Sequence, residues 1–415
     1  MFIRKLHYLH QLTRSQWKPK RELERLQLTR LRQLVSYVYD NNEFYHELYR
    51  KQGVKPQYIK TIADIEKLPV VTKAMLRDFS PSKNVDKVVS RNTSGSSGAP
   101  FSVLFDDKSW DYSEANYARS LFGTGYNPLD KLFFSYAYDI PGKRWFNRLF
   151  LIRKRYLPFA MPIDEQIGLL ENEKSRFTLY SFPSVLHIMN QLKFHPQNMS
   201  RIISTGELLS DNLRTKLEKR LGCPVYNHYG TMEVNRVAWE CQMKDGFHID
   251  IDSHVVEFVR DNEEVATGER GKIHVTNLMN PYFPLIRYNQ GDYAVPTDRM
   301  CRCGRGLPLA KEIVGRDNDF IVTEDNKLLS PIQFDVLLSR IPNVVQYRMV
   351  QKTLKSIELQ LVTTDEYRES DSHPAIKDIK DILGKDCTMN AKYVSRIKRS
   401  KGGKLQAVYS NVRKA

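Results

Sequence analysis

Three groups of residues in this 415-residue sequence have types and spacings that could do chemistry. The first is a run of small hydroxyl residues and glycines, Thr93-Ser94-Gly95-Ser96-Ser97-Gly98. Glycines let backbone N–H groups approach a phosphate chain closely, and the hydroxyls add donors. No Gly-Lys-Ser/Thr follows, so this is not a Walker A loop, nor is it a Gly-x-Ser-x-Gly elbow. A flexible linker is the plain alternative. The second group is a series of charged residues in short glycine-containing segments. Glu233 closes Tyr229-Gly230-Thr231-Met232-Glu233, and Asp292 closes Arg287-Tyr288-Asn289-Gln290-Gly291-Asp292. Gly315-Arg316 and Lys401-Gly402-Gly403-Lys404 follow. The third group is Cys301 and Cys303 together with Cys241 and His248, a Cys₃His set suited to tetrahedral structural zinc. Free thiols are the alternative there.

The length allows two or three domains. Hydrophobic residues make up 41% of the chain, enough for a sizeable core. No apolar run approaches the ~18 residues of a membrane span. The N-terminus is basic but lacks the apolar stretch of a secretory signal. Five cysteines in a chain this long make no disulfide framework, so a reducing cytoplasm is expected. Lys and Arg exceed Asp and Glu by 16, and the excess sits at the ends. Residues 1–60 carry thirteen basic and five acidic side chains, and residues 391–415 carry eight and none. Such ends point to an anionic partner or to a solvated surface. Nucleic acid is disfavoured, because there is no RNP-like aromatic cluster, zinc-finger spacing or long basic helix.

These residues need elements to hold them. Leu23, Leu26, Leu31, Leu34, Val35 and Val38 predict a helix over 21–50. A second helix is expected after Thr72. Short apolar strands are expected at 101–105, 132–136, 177–180, 202–205, 225–229 and 273–276, alternating with amphipathic stretches. That alternation predicts an α/β layered fold with mixed sheets and helices. After a break at 315–319, strands at 344–350, 356–362, 389–394 and 405–409 and a helix at 376–383 predict a small α+β C-terminal domain. The expected division is therefore 1–315 and 316–415.

The charged segments and the hydroxyl loop, in this order and at these gaps, resemble the core motifs of the adenylate-forming superfamily. Leu68-Pro69-Val70-Val71-Thr72-Lys73 with Leu76-Arg77, and Cys301-Arg302-Cys303-Gly304-Arg305, make the chain most similar to the branch of phenylacetate–CoA ligases and CapK-like capsular-polysaccharide biosynthesis proteins. The likeness runs from about residue 25 to 410. It implies a large ATP- and substrate-binding domain with a mobile C-terminal lid. It also implies AMP-forming activation of a carboxylic acid, with transfer to a thiol such as CoA or to an amine. Residues 93–98 would hold the phosphates of ATP. Gly206 and Glu207, in Ser204-Thr205-Gly206-Glu207, would contact adenine, with Tyr229, Gly230 and Thr231 beside it. Glu233 would bind Mg²⁺, a hard cation that takes carboxylate oxygen. Asp292 would accept from the ribose hydroxyls, Arg316 would face ribose or phosphate, and Lys404 would meet the charge that builds at the α-phosphate.

Two departures bear on the acceptor. Asn318-Asp319 stands where many relatives carry Asp-Asp, and Thr323-Glu324-Asp325-Asn326-Lys327 replaces a segment that helps form the thioester. The alternative to a ligase is a non-catalytic protein on the same fold that binds a nucleotide or a partner. Residues 1–20, with Phe2, Ile3, Leu6, Tyr8, Leu9, Leu12 and Trp17 among basic side chains, could lie on an anionic membrane at the inner face or pack on the large domain.

Overall fold

Leu23, Leu31, Leu34, Val35 and Val38 share one face of α2 (Lys20–Asn41), and all are buried. They are seen in a computed structural model that describes residues 2–412 apart from 78, 80, 82–87, 93–100, 137–151, 159–160, 317–318, 326, 385 and 401–403. The helix expected over 21–50 is in fact two. Asn42 is extended, and its side chain accepts from the Tyr45 amide at 3.1 Å, capping α3 (Glu43–Lys51). An Asn at this position satisfies an N-terminal amide better than helix continuation would. Among the described residues no helix opens at Thr72. Residues 73–77 are turns, and Val71 instead makes a parallel bridge to Tyr288.

The chain forms two compact units, Met1–Asn127 with His228–Ile313, and Pro128–Asn227 with Val314–Ala415. In the first unit, α1 (Phe2–Ser15) packs on α4 (Asp107–Gly123), with Leu9 and Leu12 buried and Arg4 paired with Asp111 at 2.5 Å. Strands β1 (Val88–Asn92) and β2 (Ser102–Asp106) pair antiparallel, with Asn92 opposite Ser102. The larger sheet has the order β11 (Glu263–Glu264), β10 (His254–Arg260), β12 (Gly271–Asn277), β13 (Tyr288–Thr297), β14 (Leu309–Arg316), β9 (Phe247–Ile249), β8 (Asn235–Glu240), β7 (Val225–Thr231). Its registered pairs are antiparallel. One apolar core joins α2 and α3 to these strands.

The second unit has β6 (Met199–Thr205), β5 (Phe177–Ser181), β3 (Lys131–Tyr136) and β4 (Arg153–Pro158) side by side and parallel. α5 (Ile163–Glu171), α6 (Pro183–Gln191) and α7 (Asp211–Leu221) connect successive strands. Every residue of β5 is buried, as parallel strands covered on both faces require. Residues 321–408 enclose a core of their own, built on α8 (Pro331–Leu338), α9 (His373–Leu383) and a sheet of order β19 (Thr388–Tyr393), β18 (Ser356–Thr363), β17 (Val344–Thr353), β20 (Val408–Ser410). The hairpin β15 (Ile321–Val322) and β16 (Leu328–Leu329) precedes it. Cys223 and Cys387 are buried in separate cores, as isolated apolar side chains. The structure is thus the mixed α/β architecture with a smaller α+β C-terminal part that the strand spacing predicts.

One side chain joins two sequence segments of the first unit. Arg287 pairs with Glu257 at 2.8 Å and donates to the carbonyls of Glu66 and Leu68 at 2.8 and 2.7 Å. Its own backbone exchanges hydrogen bonds with the same segment. The Val71 amide donates to the Arg287 carbonyl, and the Asn289 amide donates to the Val71 carbonyl. Burial pushes the Glu257 carboxyl up, and the Arg287 guanidinium opposes that shift. Breaking a buried pair by removing one partner leaves an uncompensated charge, which costs about 3–5 kcal/mol. Arg287→Ala is therefore expected to lower unfolding free energy by that amount. Arg287→Met with Glu257→Leu should recover most of it, as read by denaturant unfolding. A single variant as stable as the parent would show that the pair does not hold this segment.

Candidate functional site

The motif residues of the first unit converge on Tyr229. Its hydroxyl lies 2.8 Å from Asp292 Oδ2 and 2.9 Å from Gln290 Oε1. The next residue, Gly230, has no room for a Cβ, which would strike the Asn235 carbonyl. Here β7 and β8 shift register between Tyr229 and Gly230. The bulge turns the strand end and sends the chain on to Glu233, whose carboxylate accepts from the Tyr288 hydroxyl at 3.4 Å. Asp292 is buried, while Tyr229, Gly230, Thr231 and Glu233 are half-buried. The Thr231 hydroxyl oxygen is buried and meets no hydrogen-bond partner among the described residues. Gly291 follows an Asn289 side chain that accepts its amide at 2.9 Å, and its φ of +76° is a conformation open to glycine.

The second unit holds another convergence. Gly206 has φ +78°, and a Cβ there would lie 2.5 Å from Phe182 and 3.5 Å from Lys404 Cε. Lys404 therefore lies beside the end of β6. Ser204 is buried, and its hydroxyl also meets no partner among the described residues. Glu207 accepts from the Ser184 amide at 2.9 Å and from the Leu405 amide at 2.5 Å. The Arg316 amide donates to Asp319, which also accepts from Gln406 at 2.7 Å. Phe134 stacks on Tyr180 at 4.6 Å.

The cysteine set also closes up. One ligand atom from each of Cys241, His248, Cys301 and Cys303 lies within 4.8 Å of the others. Cys241 Sγ is 3.5 Å from Cys301 Sγ, and Cys303 Sγ is 3.4 Å from His248 Nε2. Tetrahedral zinc with its usual bond lengths would set these edges at about 3.8 and 3.6 Å. Burial, aided by Arg305, pushes the His248 imidazole down to about 4, so it is neutral and able to coordinate. Burial raises the Cys241 and Cys301 thiols. It also opposes ionisation of Cys303, but hydrogen bonds from Arg305 outweigh it and hold that thiol low. Thr93 to Gly98, Lys401 to Gly403 and Asn318 lie outside the described residues. The sequence reading missed Glu257, Gln290, Ser184 and Arg399. Only Gln290 stood inside a noted segment, and nothing local marks the other three.

The comparisons with known proteins follow this geometry. Residues 321–411 match the CapK C-terminal domain family. The phenylacetate-coenzyme A ligase of Thermus thermophilus is 27% identical, over 94% of this chain and 97% of its own length. Protein CapK of Staphylococcus aureus is 24% identical, over 98% and 93%. A crystal structure of 2-hydroxyisobutyryl-CoA ligase, in the postadenylation state with its acyl-AMP, superposes with a TM-score of 0.78 at 19% identity, over 95% of this chain and 90% of that one. The chain is thus a whole-length relative of the phenylacetate–coenzyme A ligases and CapK, and it carries the fold of the adenylate-forming ligases.

Proposed function

We propose that this chain is an AMP-forming ligase, which activates a carboxylic acid with ATP and passes the acyl group to CoA. The observation that carries this reading is the relationship to phenylacetate-coenzyme A ligase over 94% of the chain. In the first step the acid's carboxylate oxygen attacks the α-phosphorus of ATP, the bond to the β-phosphate oxygen breaks, and pyrophosphate leaves. In the second step the thiol attacks the acyl carbon and AMP leaves. Asp292, held by Tyr229, would accept from the ribose hydroxyls. Glu233 would take Mg²⁺, because it is half-buried in the turn between β7 and β8, just after the bulge at Gly230. Lys404 would meet the negative charge that develops between carboxylate and α-phosphate, where a preorganised cation is worth a few kcal/mol. Residues 93–98 would cradle the phosphates, and Gly206, Gly230, Thr231 and Arg316 would line the nucleoside. The C-terminal part, 316–415, would act as a lid that serves the two steps in turn.

An amine acceptor in surface-polysaccharide assembly is the second reading, favoured by the likeness to CapK. With it goes contact of the chain with an anionic membrane surface. Phe2 and Ile3, 41% and 82% exposed at the start of α1, support that contact. Among the described residues no helix is long and apolar enough to cross a membrane.

Pyrophosphate release from ATP and Mg²⁺ across aryl, hydroxy and sugar acids tests the activity. Release that depends on one acid, and falls about 100-fold or more in Lys404→Ala, is expected. Equal release by the variant would remove Lys404 from the chemistry. The cysteine set we read as structural zinc, tying residues 301–306 to β9. Metal analysis should find about one zinc per chain, reduced in Cys303→Ser. Chelation should lower Tm, because zinc binding to the folded state is folding free energy. A metal-free chain whose Tm ignores both zinc and chelator would end that assignment.

A further inference from the structure

Lys404 must be held before it can act, and the hydrogen bonds of Glu207 show what holds it. Helix α6 begins with a weak N-terminus. Its capping position is Phe182, which makes no side-chain cap, and Pro183 has no amide to give. The first free amide, that of Ser184, is taken by Glu207 Oε2 at 2.9 Å. A carboxylate at a helix N-terminus is favoured both by that bond and by the helix dipole. The other oxygen, Oε1, accepts the Leu405 amide at 2.5 Å, one residue beyond Lys404. Arg399 closes the arrangement. It donates to Ser184 Oγ at 2.7 Å and stands 3.8 Å from Glu207 Oε1. The Glu207 and Arg399 side chains are 9% and 16% exposed, so water screens this contact little.

Ser400 and Lys404 are joined by two hydrogen bonds. The Ser400 amide donates to the Lys404 carbonyl at 2.9 Å, and the Lys404 amide donates to Ser400 Oγ at 3.2 Å. Ser400 and Lys404 are therefore flanked by two fastenings, Arg399 before them and the Leu405 amide after them. Both fastenings end on one carboxylate. The Lys404 side chain then lies along Gly206, the residue immediately before Glu207.

We propose that Glu207 is a positioning residue for Lys404. Through the Leu405 amide and Arg399 it latches the C-terminal segment to the N-terminus of α6, in the arrangement that the acyl-adenylate step needs. This rests on the ligase reading for its consequence in catalysis, but the latch itself does not. It also assigns Glu207 differently from direct contact with adenine, since both carboxylate oxygens are engaged within the protein.

Amide hydrogen exchange of the full chain reads the latch without reference to a substrate. Arg399→Ala leaves the cap of α6 intact, so it isolates the fastening of the segment. Arg399→Ala and Glu207→Ala are each expected to speed exchange at Leu405 by about tenfold, the size of one lost charge-assisted hydrogen bond. Amides of β5 and of the core of 321–408 should be unchanged, which excludes general unfolding. Unchanged exchange at Leu405 in both variants overturns the proposal. Activity supplies the second arm, with phenylacetate as the probe acid. Arg399→Ala and Glu207→Ala should lower kcat for pyrophosphate release about 10- to 100-fold while leaving KM for ATP within about threefold, as loss of a correctly placed group does. Thioester formation from supplied phenylacetyl-adenylate and CoA should be nearly unaffected. A raised KM for ATP with kcat preserved would make Glu207 a nucleotide contact and overturn the positioning role. If the parent chain itself releases no pyrophosphate with any acid, the ligase reading fails, and exchange at Leu405 alone decides the latch.

Discussion

The first unit is organised around the buried guanidinium of Arg287. Taking a cation out of water costs several kcal/mol unless geometry and hydrogen bonding offset it. Here the offset comes from three places, the Glu257 carboxylate and the carbonyls of Glu66 and Leu68. The residue also sits at φ +47°, a conformation that side-chain-bearing residues seldom adopt. The combination is demanding in geometry, so it fixes register strongly. Residues 66–71 can lie along Arg287 to Asn289 in only one way, and that pairing sets where Tyr288, Gln290 and Asp292 face. Buried ion pairs are weak evidence for stability but sound evidence for a specified arrangement. This one specifies the strand that carries Asp292.

The second unit uses polarity differently. Residues 321–408 have their own apolar core, and among the described residues polar bonds join them to α6 and α7 beside the ring contact of His187 with Tyr347. Asn212 and Lys216 both bond Ser339, at 2.9 and 3.1 Å, and Glu207 bonds Leu405 and faces Arg399. Asp335 beside them is half-buried, with burial pushing its carboxyl up, and it accepts from the Tyr347 hydroxyl. Each such bond nets about 1 kcal/mol, because water competes for the same groups when the segment leaves. An apolar seam of the same size would hold more tightly and release less readily. Under the lid role proposed above, a segment with its own core and polar bonds to α6 and α7 would leave and return intact between the two steps.

The legible parts of the fold were those written locally. Ile202 to Thr205, Val225 to Tyr229 and Ser356 to Val362 carry β-branched, aromatic or alternating apolar residues, and each falls within a strand. The Cys₃His set was legible because structural zinc sites are built from Cys and His, so four residues suffice to pose the question. The break at Asn42 was missed because the apolar spacing runs on through it, and a single capping side chain decides against the spacing. The helix after Thr72 failed for a tertiary reason, since Val71 and its neighbours are drawn to β13. Glu207 was noted for its neighbours and not for its carboxylate, whose partners at 184, 399 and 405 lie up to 198 residues away. Long-range polar partners leave no periodic trace, so no reading of spacing finds them.

Formal charge shows the same limit from another side. The basic excess of residues 1–60 invites an anionic partner, but the structure shows where some of it goes. Arg4 pairs with Asp111, Lys5 with Glu114, Lys18 with Glu22 and Lys51 with Glu47. Arg30 donates to the Asp252 carbonyl. Of the C-terminal excess, Lys392 pairs with Glu358 and Arg399 faces Glu207. Charges met by a nearby carboxylate contribute little field beyond a Debye length of about 8 Å. What α1 offers a membrane is therefore less than its composition implies. Leu9 and Leu12 are spent on packing, leaving Phe2 and Ile3 at one end as its exposed apolar surface. Two apolar side chains bury too little area for stable anchoring without a second signal. Any membrane contact through this helix must be weak and electrostatically assisted, so it would be lost as salt is raised.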